Sequence, residues 1–230
     1  MIKTLSLAAA AALLVAPAMA GSDDDDHNPT ARMQQAASVL KSAVNAPDKG
    51  IPRDLLEKAE CVGVFPEMKK GAFVVGGEFG RGVFTCRQAD GSMGAPAFFK
   101  MGGGSVGWQF GGEEADVVLL IMNKTGLDHL LEDKFTIGGE ASAAAGPVGR
   151  TASASTDAQM HAQILSWSRS RGAFVGVSVE GDFLKPDTKT NENLYGKALS
   201  SREILVGGAA SVPKTAENFV GTTNQYAKRS

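Results

Sequence analysis

One stretch, from Asp116 to Arg150, constrains the fold more than any other part of the chain. Every residue after the first in the run Asp116 to Met122 is apolar, and such a run predicts a strand buried on both faces. Leucines at helical spacing follow, and Lys134 to Ile137 alternates as a second strand does. Gly138 to Arg150 is mostly glycine, alanine and serine, which favours close backbone packing or a loop. No acid, base or nucleophile stands out, so this stretch is predicted to be architectural.

The region before that stretch is predicted to be β-structure. Pro66 to Lys70 and Gln88 to Ser92 are hairpin-like connections, and the second contains an Asp-Gly turn signal. Glycines within and between the strands indicate a strongly twisted sheet that could close into a barrel-like shape. The predicted strands are 61–65, 71–77, 82–87, 96–101, 105–110 and 116–122.

Helices are predicted at both ends of the chain. The first begins at a Thr30 cap and presents an apolar stripe, a second short helix begins at Pro52, and an amphipathic helix follows Pro213. Residues 162–169 and 173–180 form a further predicted hairpin, and 185–193 a polar loop. The predicted fold class is α+β, with a glycine-rich, mostly antiparallel twisted sheet and helices at the N- and C-terminal ends.

The first thirty residues divide into a targeting segment and an acidic leader. Residues 1–20 combine Lys3, an apolar region and a small-residue site ending at Ala20, which is typical of a signal peptide. Residues 21–29 contain four aspartates and are expected to be disordered. Residues 30–230 are predicted to form one domain. The protein is therefore expected to be exported to a periplasm, where it could bind peripherally to a membrane.

Charge and cysteine content narrow the classes of function. The formal net charge is −2, whereas a nucleic-acid-binding domain would carry a strong basic excess. The two cysteines, Cys61 and Cys86, lie in predicted strands, and export makes a disulfide possible. Such a bridge would close about 25 residues and contribute roughly 3 kcal/mol. The alternative is two buried thiols.

Catalytic and metal-binding patterns are weak. Gly103 to Gly107 fits G-x-S-x-G around Ser105, but that motif requires a helix directly after the serine, and here a strand is predicted. His129 and His161 could supply a base, yet neither has a second ligand at metal-binding spacing. We expect no metal, no cofactor and no enzymatic activity, with a serine hydrolase using Ser105 as a minor alternative.

Basic residues cluster at Lys69-Lys70, at Arg81 with Arg87, and at Arg169 with Arg171. If the strands bring some of these side chains together, they form a modest patch for phosphate head groups. From the residues alone, ordinary surface solubility is the favoured alternative.

Together these motifs resemble the SYLF domain family, which includes the yeast actin-patch proteins that bind actin, and the resemblance covers roughly residues 35–210. It implies a non-enzymatic domain that binds phosphoinositides and other acidic phospholipids. Eukaryotic members have a membrane-contacting amphipathic segment, to which residues 30–46 correspond here. The segments that carry the resemblance are IPRDLLEKAECVGVF (51–65), KKGAFVVGGEFGRG (69–82), DVVLLIMN (116–123), KFTIGGEASAAAGPVGR (134–150), RSRG (169–172) and LYG (194–196).

From the patch and the resemblance we expect an exported domain that binds an acidic phospholipid surface. The N-terminal helix would insert Met33 and Leu40 and carry Arg32 and Lys41 on its polar face. An envelope structural or protein-interaction module is the alternative, and it would resist added salt better than lipid binding. Actin is not an expected partner of an exported bacterial member. The basic residues expected to contact lipid are Lys69, Lys70, Arg81 and Arg87.

Overall fold

The computed structural model describes residues 28–47, 49–71, 77–103, 114–149, 161–169 and 172–228. The predicted signal peptide, nearly all of the leader, the predicted strand 105–110 and Ser105 lie outside these residues. The described elements, in chain order, are α1 (Pro29–Asn45), α2 (Arg53–Lys58), β1 (Cys61–Gly71), β2 (Gly77–Cys86), β3 (Ala97–Gly103), β4 (Ala115–Ile121), α3 (Lys124–Leu130), β5 (Phe135–Thr136), β6 (Ala143–Ala145), β7 (Ile164–Arg169), β8 (Phe174–Gly176), β9 (Phe183–Pro186), α4 (Thr188–Tyr195), α5 (Ser201–Leu205), a 3₁₀ turn (Lys214–Ala216) and α6 (Glu217–Ala227).

Across the described residues, the strands form one curled nine-stranded sheet, in the shape of a half-barrel. Its order is β5-β9-β3-β2-β1-β4-β7-β6, and β8 also pairs with β7. All pairs are antiparallel except β6 with β7. The predicted α+β class, with a mostly antiparallel sheet and helices towards both termini, is confirmed.

The central part of the sheet is apolar on both faces. Neighbouring residues of a strand point to opposite sides, and here both sets are buried. One side, here called the helix face, packs Val62, Val64 and Val118 against apolar residues of α1, α2 and α6. The opposite face buries Phe65, Phe84, Phe99 and Leu119 with residues of α3 and α5. In β4 every residue from Val117 to Ile121 is buried, as the apolar run predicted.

The first hairpin differs from the prediction. Pro66 to Lys70 is not a connection, because β1 continues through these residues and pairs with both β2 and β4. The register shifts between Phe65 and Met68, and Glu67 has a φ of 51°. A bulge at Glu67 therefore absorbs the extra residue that the sequence pattern suggested was a turn.

The predicted disulfide is confirmed. Cys61 and Cys86 are directly opposite each other in β1 and β2, and their sulfurs are bonded. Both residues are fully buried on the opposite face.

Two further predictions, the start of α1 and the loop 185–193, differ from the structure. The cap of α1 is Asn28, whose side chain accepts from the backbone of Thr30 and Ala31, rather than Thr30. The predicted polar loop 185–193 is wrong, because these residues form the end of β9 and most of α4. The buried residues of α4 are Thr190 and Asn191, so it lacks the apolar stripe by which a helix is predicted.

The small-residue block packs closely against the sheet. A Cβ on Gly146 would lie 2.1 Å from the ring of Trp167, and one on Gly176 would lie 2.1 Å from the Gly146 oxygen. The Trp167 indole donates to the Pro147 carbonyl at 2.9 Å. Glycine is therefore required at 146 and 176, so that the backbone can approach the tryptophan and the two segments can approach each other.

We predict that Gly146→Ala lowers the free energy of unfolding by about 1–3 kcal/mol, because overpacking displaces the Trp167 ring. Gly221→Ala is the matched control, since a Cβ there meets nothing within 4 Å and alanine favours a helix by up to about 1 kcal/mol. Urea unfolding of both variants measures the difference. Equal stability of Gly146→Ala and the unaltered chain would contradict close packing.

Candidate functional site

The apolar side of α1 is part of the core. Met33 is 1% exposed and Leu40 is fully buried, and both pack in the cluster on the helix face. Lys41 is exposed on the outer side of the helix. Insertion of Met33 and Leu40 into a membrane would therefore require α1 to leave the sheet.

Polar contacts also fix α1 to the bulge of β1. Arg32 is 5% exposed, and its Nη1 donates to the Pro66 carbonyl at 3.1 Å. The Gln35 amide donates to the Glu67 carboxylate at 3.3 Å. Arg32 therefore anchors the first turns of α1 to the sheet rather than pointing away from it.

A groove of about 630 Å³ lies beside the outer side of α1. At its base the Arg169 guanidinium contacts Asp116 Oδ2 at 2.6 and 3.0 Å, and Asp116 Oδ1 accepts the backbone N–H of Glu67 at 3.1 Å. Arg169 is thus neutralised by Asp116, and the remaining charged residues of the described lining are acidic. The lining is Ala31, Gln34, Gln35, Ser38, Val39, Ser42, Pro66, Glu67, Glu114, Asp116, Arg169 and Gly172.

Arg87 holds the end of α2. Its guanidinium donates to the carbonyls of Leu56, Glu57 and Ala59, and to that of Gly91, at 2.8 to 3.2 Å. The last carbonyls of a helix lack partners within the helix and attract cations. The geometry places Arg87 in a structural role, away from the other predicted basic residues.

Arg81 lies beside a buried carboxylate. Arg81 Nε is 3.3 Å and Lys100 Nζ 3.0 Å from the oxygens of Asp187. The Asp187 side chain is 2% exposed, whereas those of Arg81 and Lys100 are 21% and 24% exposed. Taken by themselves, these three side chains carry two positive charges and one negative charge.

Strand pairing extends this charge across the sheet. Lys100 is directly opposite Arg81 on one side and Lys185 on the other, so one row crosses β2, β3 and β9. Directly opposed residues share a face. Val83 and Phe98 pack on the helix face, and Arg81 and Lys100 lie two residues from them, so this row lies on that face.

The neighbouring row adds two aromatic rings and another cation. Phe79 is opposite Lys69 and Gly102, and Gly102 is opposite Phe183. Phe79 and Phe183 lie two residues from Arg81 and Lys185, so both rows are on the same face. We call the set Lys69, Phe79, Arg81, Lys100, Phe183 and Lys185 the basic–aromatic face.

The rings of this face are accessible. Phe79 is 48% exposed. The Phe183 ring has Lys134 Nζ at 4.7 Å and Lys185 Nζ at 5.8 Å from its centroid, within cation–π range. The face therefore combines ammonium groups and exposed ring surface.

The structure brings together only part of the predicted basic set. Lys69, which is exposed, and Arg81 lie on the basic–aromatic face, while Arg87 does not. In the backbone register of β1 with β2, Lys70 is the next position after Lys69 and is opposite residue 78. Sequence reasoning missed Lys100, Lys185 and both aromatic residues. The proximity of Lys185 and Phe183 depends on the distant pairing of β3 with β9, whereas Lys100 and Phe79 depend on the register of the neighbouring pairs β2–β3 and β1–β2.

The LYG segment is structural. The Tyr195 hydroxyl donates to the Pro96 carbonyl at 2.6 Å, and burial raises the pKa of Tyr195. Gly196 has a φ of 68° and ends α4 in the left-handed conformation, which favours glycine.

The residues that the structure describes give little support for a metal site or a membrane-spanning helix. They contain no group of three or more His, Cys, Asp or Glu side chains that could hold a metal ion. None of their helices is long and apolar enough to cross a membrane. His129 Nδ1 lies 3.0 Å from Glu132 Oε1 on α3, a local contact. Ser105 falls in one of the gaps, so the predicted hydrolase motif is not described.

The family model and the individual relatives that match this chain all belong to one family. Residues 102–226, somewhat more than half of the chain, match the family model Ysc84, described as "Las17-binding protein actin regulator". Protein YSC84 of Saccharomyces cerevisiae is 33% identical over 192 residues, which is 80% of this chain and 41% of the relative. LAS seventeen-binding protein 3 from the same yeast is 33% identical over 182 residues, 76% of this chain and 39% of the relative.

An animal relative covers more of the chain. The SH3 domain-containing YSC84-like protein 1 of Mus musculus is 28% identical over 208 residues, 88% of this chain and 61% of the relative. The chain thus spans about two fifths of the yeast relatives' length and about three fifths of the mouse relative's length.

We predict that Arg87→Ala lowers the free energy of unfolding by about 2–3 kcal/mol, because it removes a charged donor from several buried or half-buried carbonyls. Arg202→Ala is the control. Arg202 is 59% exposed and lies 3.9 Å from the exposed Asp128, so its loss should change stability by less than about 0.5 kcal/mol. Thermal or urea unfolding compares the two. A similar small effect for both variants would contradict the structural role of Arg87.

Proposed function

The chain belongs to the Ysc84 family, the SYLF-domain proteins, and from this premise we propose that it binds acidic phospholipid surfaces through its basic–aromatic face, without enzymatic activity. The observation that carries the proposal is the alignment of Lys69, Arg81, Lys100 and Lys185 across four adjacent strands. Neighbouring strands are about 4.8 Å apart, so the four cations extend over roughly 14 Å. This spacing suits several head groups at once.

The charge balance supports an anionic partner. Asp187 contacts both Arg81 and Lys100, and Lys69 and Lys185 are exposed beside them. A lysine or arginine near an anionic membrane contributes on the order of 1 kcal/mol. The face can therefore supply a few kcal/mol of attraction even though the whole chain has a formal net charge of −2.

The aromatic residues favour a membrane over a small soluble anion. Aromatic side chains are stable at the boundary between head groups and acyl chains. The exposed ring of Phe79 is directly opposite Lys69, so the ring can enter the interface while the ammonium group meets phosphate. A soluble phosphate would gain nothing from the ring.

This binding mode leaves α1 on the sheet. If Met33 and Leu40 inserted instead, each would first have to leave the core, at about 1.5–3 kcal/mol per side chain, and the contacts of Arg32 and Gln35 with the bulge would be lost. The basic–aromatic face needs no such rearrangement, which is why we prefer it to helix insertion.

We predict that the chain co-sediments with vesicles of phosphatidylcholine containing phosphatidic acid or cardiolipin at low salt, and not with phosphatidylcholine alone. Lys69→Glu with Lys185→Glu should weaken this binding by roughly thirtyfold or more, since the loss of the two lysines alone removes about 2 kcal/mol of attraction and the new carboxylates add repulsion. The double variant Lys124→Glu/Lys214→Glu has the same charge but alters exposed lysines away from the face, and it should bind nearly as well as the unaltered chain.

The outcomes separate the alternatives. No binding of the unaltered chain to acidic vesicles would reject the proposal. Equal weakening by the two double variants would show that net charge rather than the face is responsible.

Phe79→Ala should weaken binding severalfold while retaining its salt dependence, because it removes ring contacts and not charge.

A protein partner is the second candidate. The matched family is described as Las17-binding, and one yeast relative is named a LAS seventeen-binding protein, so a protein-binding role for this domain has support from its relatives. An apolar protein interface would keep its affinity in salt that dissociates the vesicles.

We also propose that the chain is exported, with residues 1–20 removed. The Cys61–Cys86 disulfide supports this, because persistent disulfides are typical of oxidising compartments. Mass spectrometry of the protein purified from its own cells should find Gly21 at the N-terminus. A protein that starts at Met1 would contradict export by cleavage.

A further inference from the structure

The sequence immediately before α1 is unusually acidic. Asp23 to Asp26 stand two to five residues ahead of Asn28, the cap at which the described part of α1 begins. Their number equals that of the cations on the basic–aromatic face. Complementary charge in the same chain makes this leader a candidate occupant of the face.

The start of α1 is held where the leader can reach the face. Arg32, one helical turn after Asn28, donates to Pro66 in the bulge of β1, and α1 also contacts β2, the strand of Phe79 and Arg81. At about 3.4 Å per extended residue, Asp26 can lie roughly 7 Å and Asp23 roughly 17 Å from Asn28. The four aspartates therefore span about 10 Å, or about two strand spacings, so together they can meet cations on three adjacent strands.

The charges around α1 favour one direction. On the groove side, Glu67 and Glu114 are acidic and Arg169 is already neutralised by Asp116, so the leader is repelled. On the side of β2, β3 and β9, Arg81, Lys100 and Lys185 form one row, in which the buried Asp187 contacts the first two. Attraction and repulsion both direct the leader to the basic–aromatic face.

We propose that the acidic leader, Asp23 to Asp26, binds the basic–aromatic face of its own chain and competes there with anionic surfaces. The contact between leader and face does not depend on lipid, whereas the competition with lipid rests on the proposed function. Because the leader is tethered, its effective concentration is in the millimolar range, so individually weak charge pairs suffice for competition. Strongly acidic membranes displace it, and weakly acidic ones do not.

The contact itself is tested without lipid. A water-soluble carbodiimide activates an aspartate carboxyl, a neighbouring lysine amine attacks it, an amide forms and the reagent leaves as its urea. In the chain from Gly21 to Ser230, mass spectrometry should find the leader aspartates joined mainly to Lys69, Lys100 or Lys185. The yield should fall severalfold at about 0.5 M salt, where charges are screened beyond a few Å. Links spread equally to Lys124 and Lys197, or a yield that salt does not change, would overturn the contact.

The competition is tested by a double-mutant cycle on acidic vesicles. Replacing the four aspartates by asparagine should raise vesicle affinity roughly tenfold in the unaltered chain. In a Lys69→Ala/Lys185→Ala background the same replacement should give at most a twofold gain. An equal gain in both backgrounds would mean that the leader only repels the membrane, and would overturn the competition. If no chain binds vesicles, the proposed function fails and so does the competition, while the cross-linking result still decides the contact.

Discussion

Burial on both faces of one sheet is the constraint on which the rest of the structure depends. Residues 61–65 of β1 and 117–121 of β4 are buried on both sides, so neither face of the sheet can be left to solvent there. The helices at the two ends of the chain cover one face. The curl of the sheet, with α3 and α5, encloses the other.

The proposed site lies where that cover ends. On the helix face, β2 changes from the buried Val83 to Arg81 two residues away, and β3 changes from the buried Phe98 to Lys100. Lys185 of β9 is directly opposite Lys100. The same strands therefore supply the core and the charged surface, and the buried Asp187 at the start of α4 fixes two of the cations. Such a site is rigid because regular strands position it rather than a loop.

Local patterns predicted much of this fold. The apolar run of β4 and the small residues around Gly146 followed from periodicity and residue size. The Cys61–Cys86 disulfide was expected because both cysteines lie in predicted strands of a chain expected to be exported, with two buried thiols as the alternative. The bulge at Glu67 did not, because a positive φ at a glutamate has no sequence signal. The site was predicted in part, through Lys69 and Arg81. Lys185 could not be joined to them, since the end of β9 was predicted as part of a loop and its pairing with β3 spans more than eighty residues. Lys100 lies opposite Arg81 in the neighbouring strand, but the register that brings the two together was not predicted.

The central claim is that the sheet, and not the apolar side of α1, meets the membrane. Lysine acetylation with and without acidic vesicles, followed by mass spectrometry, tests it most directly. The account predicts that vesicles protect Lys69, Lys100 and Lys185 and leave Lys41 on α1 and Lys124 on α3 as reactive as before. Protection of Lys41 with unchanged labelling of the three sheet lysines would contradict it.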